Sequence, residues 1–100
     1  MVNNFTKSIK ESNKTMTNEK FIYEAKELVR DYIADTINKT EAVPEFETYV
    51  VWNCYILGYQ KALISTTLPD TMYYEVTYNA EKNEIYLDAY VKIHNRAIKM

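Results

Sequence analysis

One glycine in 100 residues, Gly58, leaves no material for a phosphate-cradling loop. Neither the GxGxxG dinucleotide fingerprint nor the GxxxxGK[ST] loop can be written with a single glycine. The GxSxG nucleophile elbow fails for the same reason. One cysteine, Cys54, can close no internal disulfide and build no cysteine metal cluster, which points to a reduced, cytoplasmic setting. One histidine, His94, leaves no HExxH pair for a catalytic metal. No apolar run approaches the ~20 residues of a membrane span, and no secretory leader is visible. Gly plus Pro is too scarce for a fibrous or low-complexity chain.

A basic excess is also missing. The chain carries net charge −2, unevenly spread. Lys7, Lys10 and Lys14 outnumber Glu11 in residues 1–16, whereas residues 17–100 hold nine basic and thirteen acidic side chains. An acidic body is a poor nucleic-acid binder, because phosphate contacts need clustered Lys and Arg. The local exception is Lys92, His94, Arg96 and Lys99, with no acid among residues 92–100. The plain reading is a solvated basic segment; the functional one is an anion-binding rim.

Tyrosine is abundant, at ten residues of fourteen aromatics. Its apolar ring and polar tip suit half-exposed binding faces and also ordinary β-sheet surfaces. Two tyrosine-rich segments, Met72–Tyr78 and Glu84–Tyr90, alternate strictly and flank a polar turn at residues 79–83, the pattern of a β-hairpin. Pairing Tyr78 with Ile85 places Val76 against Leu87 and Tyr74 against Ala89 on one face. The other face then sets Thr77 against Tyr86, Glu75 against Asp88 and Tyr73 against Tyr90. Two carboxylates opposed in a ladder repel each other, so a face that keeps them has the makings of a polar recognition surface.

The rest of the chain supplies a helix and two more strands. Residues 1–16 are polar and aperiodic, the pattern of a mobile tail; residues 17–100 form a single α+β domain. Residues 17–38 place Phe21, Ala25, Leu28, Val29, Tyr32, Ile33, Thr36 and Ile37 on one helical stripe, with Thr17 as N-cap. Residues 39–46 are a connector, broken by Pro44. Strands are expected at about 47–57, 60–67, 71–79 and 83–93, with turns at Gly58-Tyr59 and Leu68-Pro69-Asp70. The fold class is α+β: one N-terminal amphipathic helix packed on a four-stranded antiparallel β-meander. The first strand is apolar on both faces, with Val50, Trp52, Cys54 and Ile56 on one and Tyr49, Val51 and Tyr55 on the other. One helix covers one face only, so a homo-oligomer is expected to cover the rest.

The runs Val50–Cys54, Lys61–Asp70, Met72–Asn79 and Lys82–Tyr90 resemble a family of small uncharacterised proteins encoded by phages and prophages of Gram-positive bacteria. The resemblance covers about residues 17–97 and carries over no catalytic or binding residue. It implies a viral accessory gene acting in the bacterial cytoplasm, a class that often serves host takeover or counter-defence.

Four candidate sites stand against plainer alternatives. Tyr73, Glu75, Thr77, Tyr86, Asp88 and Tyr90, with Lys92 and Arg96 beyond them, form the main one. Rings stack on a planar ligand, carboxylates accept from ribose hydroxyls, and the cations hold phosphate; the alternative is a solvated face with Lys92 diagonally offsetting the acidic pair. Glu75 and Asp88 as a catalytic or metal pair lack the further groups such chemistry needs. Ser65, Thr66 and Thr67 read as a strand end entering a turn, with hydroxyls available to a ligand. Cys54 reads as a small core hydrophobe, and Trp52 as buried in the core or at a subunit contact, with a stacking platform as its functional alternative. The expectation is a non-enzymatic counter-defence protein, without cofactor, that sequesters a nucleotide-type small molecule. The alternative is an inhibitor of a host protein acting through its acidic surface. A membrane and nucleic acid are not expected partners.

Overall fold

Thr17 starts the helix in the computed structural model, which describes residues 16–36 and 44–100. Its hydroxyl accepts a hydrogen bond from the Lys20 amide at 3.1 Å, and its carbonyl accepts one from the Phe21 amide at 2.9 Å. The cap satisfies donors that the first turn would otherwise leave orphaned. Helix α1 spans Asn18–Thr36 and buries Phe21, Ala25, Val29 and Ile33, a four-residue repeat that keeps one face on the sheet. Leu28 and Tyr32 flank that stripe, while Thr36 is exposed. Ile37, residues 39–43 of the connector and residues 1–15 of the expected tail lie outside the described residues; Met16 packs against the core. Among the described residues, no helix is long and apolar enough to cross a membrane.

Four antiparallel strands follow: β1 (Thr48–Ile56), β2 (Tyr59–Thr66), β3 (Met72–Asn79) and β4 (Glu84–Val91), adjacent in chain order β1-β2-β3-β4. The meander is as expected. Helix α1 lies mainly over β2, with β1 and β3 beside it. Ala62 and Ile64 of β2 and Tyr74, Val76 and Tyr78 of β3 meet the helix stripe, and the Tyr32 and Tyr74 rings sit edge to face at 5.7 Å and 64°. The molecule is 18 Å across its thinnest direction, one helix layer on one sheet. Among the described residues, nothing covers the opposite face of that sheet.

The β3–β4 register matches the alternation pattern: Tyr78 pairs with Ile85, Val76 with Leu87, Glu75 with Asp88 and Tyr73 with Tyr90. Tyr78 donates its hydroxyl to Asn83 Oδ1 at 2.8 Å and fixes the turn between the strands.

The first hairpin differs from expectation in two ways. Its turn residues are Leu57 and Gly58, not Gly58 and Tyr59, because Ile56 already pairs with Tyr59. Both turn residues have positive φ, 51° and 85°, the type I′ geometry that follows strand twist. A leucine there is held in a left-handed conformation costing ~1–2 kcal/mol. The second difference is a bulge: Val50 pairs with Ile64, but Trp52 pairs with Leu63. The extra residue, Val51, reverses the facing of everything after it. Tyr49, Trp52, Cys54 and Ile56 therefore share the uncovered face, and Val50, Asn53 and Tyr55 share the helix side. Cys54 is exposed and Trp52 is 41% exposed, so neither is a core residue.

Candidate functional site

Strand pairing turns the uncovered face into ordered rows. Residues directly opposite across a ladder point to the same side. From β1 to β4 the rows run Tyr49, Ser65, Tyr73, Tyr90; then Trp52, Leu63, Glu75, Asp88; then Cys54, Lys61, Thr77, Tyr86. Six of the eight expected site residues, Tyr73, Glu75, Thr77, Tyr86, Asp88 and Tyr90, thus stand together on one face. Lys92 joins them: its amide donates to the Thr71 carbonyl at 3.0 Å, prolonging the β3–β4 ladder, and its Nζ lies 6.0 Å from the Tyr73 ring centroid. Arg96 is exposed in the segment after β4, and among the described residues no hydrogen bond or ion pair ties it to the face.

The acidic pair at the centre is asymmetric. Lys61 Nζ bridges Glu75 Oε2 at 3.2 Å, and the Tyr90 hydroxyl donates to Glu75 Oε1 at 3.3 Å. Lys61, across the sheet on β2, offsets Glu75; Lys92, the cation that the pattern in β3 and β4 offered, is placed over Tyr73 instead. Both partners of the Lys61–Glu75 pair are mostly buried side chains, so solvent screens it less than a free surface pair. Among the described residues, Asp88 has no cation at ion-pair distance. Desolvation, then the negative charges of Glu75 and Asp88, hold the Tyr90 phenol protonated above its usual range, against the opposing pull of Lys61. The Tyr86 phenol is raised chiefly by its hydrogen bond to Glu84, 2.6 Å long.

Opposite signs are therefore expected for two isosteric changes. Glu75→Gln removes the carboxylate that Lys61 needs together with the repulsion from Asp88, so the two terms partly cancel and the fold is destabilised by no more than about 0.5 kcal/mol. Asp88→Asn removes only the repulsion and stabilises it by about 0.2–1 kcal/mol. Urea midpoints of the two variants, read by circular dichroism, check the order; equal stabilisation by both would mean that Lys61 leaves Glu75 uncompensated.

A cavity of about 360 Å³ opens where the first row meets the β2–β3 turn. Tyr49, Tyr73 and Lys92 line it, with hydroxyls from Ser65, Thr66 and Thr71. Local bonds preorganise those hydroxyls. Ser65 Oγ donates to the Met72 carbonyl at 3.0 Å, and Thr66 Oγ1 accepts from the Leu68 amide at 3.1 Å. Thr67 is bound outside the cavity, its Oγ1 accepting from the Glu47 amide at 3.0 Å. Two tyrosine rings, a cation and three hydroxyls on one rim can hold a planar group bearing a negative charge. Tyr49 and Lys61 escape sequence reasoning because alternation in β3 and β4 settles only the pairing of those two strands; the β1–β2 and β2–β3 registers that set Ser65 between Tyr49 and Tyr73, and Lys61 beside Thr77, leave no such mark.

The groups for covalent or metal chemistry do not converge. Among the described residues, no three His, Cys, Asp or Glu side chains are grouped to hold a metal ion. Cys54 lies opposite Lys61 in the ladder, with no histidine beside it.

Fold and face together define a one-helix, four-strand α+β protein with a solvent-facing aromatic sheet surface. The chain belongs to a family of unknown function, DUF6275, whose model matches residues 22–100. Comparison with curated proteins gives no match, and comparison with solved structures gives none either.

Proposed function

We propose that this is a non-enzymatic binding protein that sequesters a nucleotide-type ligand on the open face of its sheet. The observation that carries the reading is the cavity bounded by Tyr49, Tyr73 and Lys92. A base stacks against the tyrosine rings, a phosphate meets Lys92, and Glu75 and Asp88 accept from ribose hydroxyls farther along the face. Stacking is worth about 1–3 kcal/mol per base and is indifferent to which base it is, which suits capture rather than turnover. Arg96, exposed after β4, adds positive charge to the segment that follows Lys92. The resemblance to phage and prophage proteins supplies the setting: a viral gene product in the cytoplasm of a bacterial host, removing a nucleotide signal on which a defence system depends. Calorimetric titration with adenosine monophosphate, ADP-ribose and cyclic dinucleotides tests it. Saturable heat with one of them supports the reading, and silence across the panel well above micromolar concentration contradicts it.

A second reading rests on the outer side of α1, where Glu19, Asp31 and Asp35 are exposed. An acidic surface of this kind fits a basic site on a host protein. A stoichiometric protein partner pulled from host lysate, with no bound small molecule, favours it over the first.

A further inference from the structure

The two edges of the sheet are built differently. The β4 edge carries Glu84 and Asp88, with Lys92 just beyond, the charges that keep an edge strand from pairing. The β1 edge carries none: from Thr48 to Gln60 there is no charged residue and no proline. Its apolar side chains are also uncovered. Tyr55 is 70% exposed and Leu57 90%, with Tyr49, Val51, Trp52 and Ile56 about half exposed. A long, uncharged, apolar edge is a template for a further strand.

We propose that β1 pairs antiparallel with β1 of a second copy about a two-fold axis, joining two four-stranded sheets into one of eight. Three observations choose a second copy over another partner. First, an isologous contact opposes a strand to itself and buries every unpaired charge in it twice; this strand has no charge to bury.

Second, the register closes. Ile56 and Tyr59 flank a two-residue turn and are a hydrogen-bonded pair, so by alternation the backbone groups of Asn53 and Tyr55 point away from β2. Centring the axis on Cys54 sets Asn53 opposite Tyr55 of the second copy, where those groups satisfy each other. The same register lays Trp52 against Ile56 and Val51 against Leu57 of the second copy.

Third, the area is of the right order. At roughly 150–250 Å² per large side chain, the exposed fractions of these six residues offer at most about 600 Å² per copy, to which the paired backbone adds, against the ~800 Å² per partner of a stable interface. The left-handed Leu57 gains a purpose here, since its strained turn holds an apolar side chain out at the axis end of the strand.

The inference shares Tyr49 with the ligand cavity, but its axis is at Cys54 and its test uses no ligand, so failure of one reading is distinguishable from failure of the other. Sedimentation velocity at tens of micromolar is expected to give a dimer. Tyr55→Lys, a charge at an already exposed position, is expected to raise its dissociation constant by at least about tenfold. Val91→Lys on the opposite edge is expected to leave the dimer intact. Because a variant can fold poorly, the unaltered protein supplies a second readout. Opposed Cα atoms at a non-hydrogen-bonded pair lie about 4.5 Å apart, within disulfide reach, so mild oxidation joins two chains through Cys54. A monomer at every concentration, an aggregate without fixed stoichiometry, or a dimer that survives Tyr55→Lys and does not cross-link at Cys54 overturns the proposal.

Discussion

Phe21→Ala is expected to cost about 3–5 kcal/mol of folding stability, the range for removing a fully enclosed aromatic ring. Phe21 has no exposed surface and sits in the first turns of α1, among Ala25 and the core side chains of β2 and β3. The helix is the one described layer on the sheet, so no second element can move in to refill the space. Small domains have total stabilities near the low end of 5–15 kcal/mol. The loss is thus a large share of the whole, and the urea midpoint should fall close to zero denaturant. Tyr23→Ala is the matched control. Tyr23 lies on the outer face of the same helix at 62% exposure, and its removal is expected to change stability by no more than about 0.5 kcal/mol. Equal effects of the two changes would mean that α1 does not seal the sheet through Phe21.

Tyr73→Ala is the second large effect, read in binding rather than folding. A stacking ring contributes about 1–3 kcal/mol, so affinity for the bound nucleotide should drop roughly five- to 150-fold. Tyr73 is half-buried but lies on the side of β3 away from the helix core, so the stability cost stays well below that of Phe21→Ala. Tyr90→Ala should follow it, since Tyr90 stands opposite Tyr73 and holds Glu75. Tyr86→Ala should weaken binding less: its hydroxyl is committed to Glu84 in the opposite direction along the face. Binding that ignores Tyr73 but falls with Tyr86 would move the ligand to the other end of the sheet.

The second half of the chain was legible because its local and tertiary demands agree. Strict alternation in β3 and β4, with a polar turn between, favours the register that turns Val76 and Leu87 together to the helix side, and that register puts Glu75 opposite Asp88. The helix stripe was legible for the same reason, and Thr17 caps it as its type and position suggest. The first hairpin was not. A bulge needs no special residue, and Val50-Val51 reads equally well as two consecutive strand positions; the inserted residue alone moved Trp52 and Cys54 to the other face. Gly58 fits either central position of a two-residue turn. The I′ geometry places it second and forces Leu57 to positive φ, a choice that leucine's own preference argues against. The candidate site inherited both outcomes: its β3 and β4 residues could be named from the alternation, Tyr49, Lys61 and Ser65 joined them only through the β1–β2 and β2–β3 registers, and Trp52 and Cys54 only through the bulge.

Trp52 offers the most direct test of the central claim that the open face is where a ligand binds. It is the chain's single tryptophan and lies on that face in the row next to Tyr49 and Tyr73, partly open to solvent. Its fluorescence therefore reports on the face and not on the helix-covered core, and is read at one fixed protein concentration because the same ring would meet Ile56 of a second copy. Titration with the nucleotide that gives calorimetric heat is expected to quench or shift that emission with the same midpoint as the heat, and Tyr73→Ala is expected to move both midpoints together. Saturable heat with unchanged Trp52 emission, and a midpoint indifferent to Tyr73→Ala, would place binding elsewhere and contradict the account.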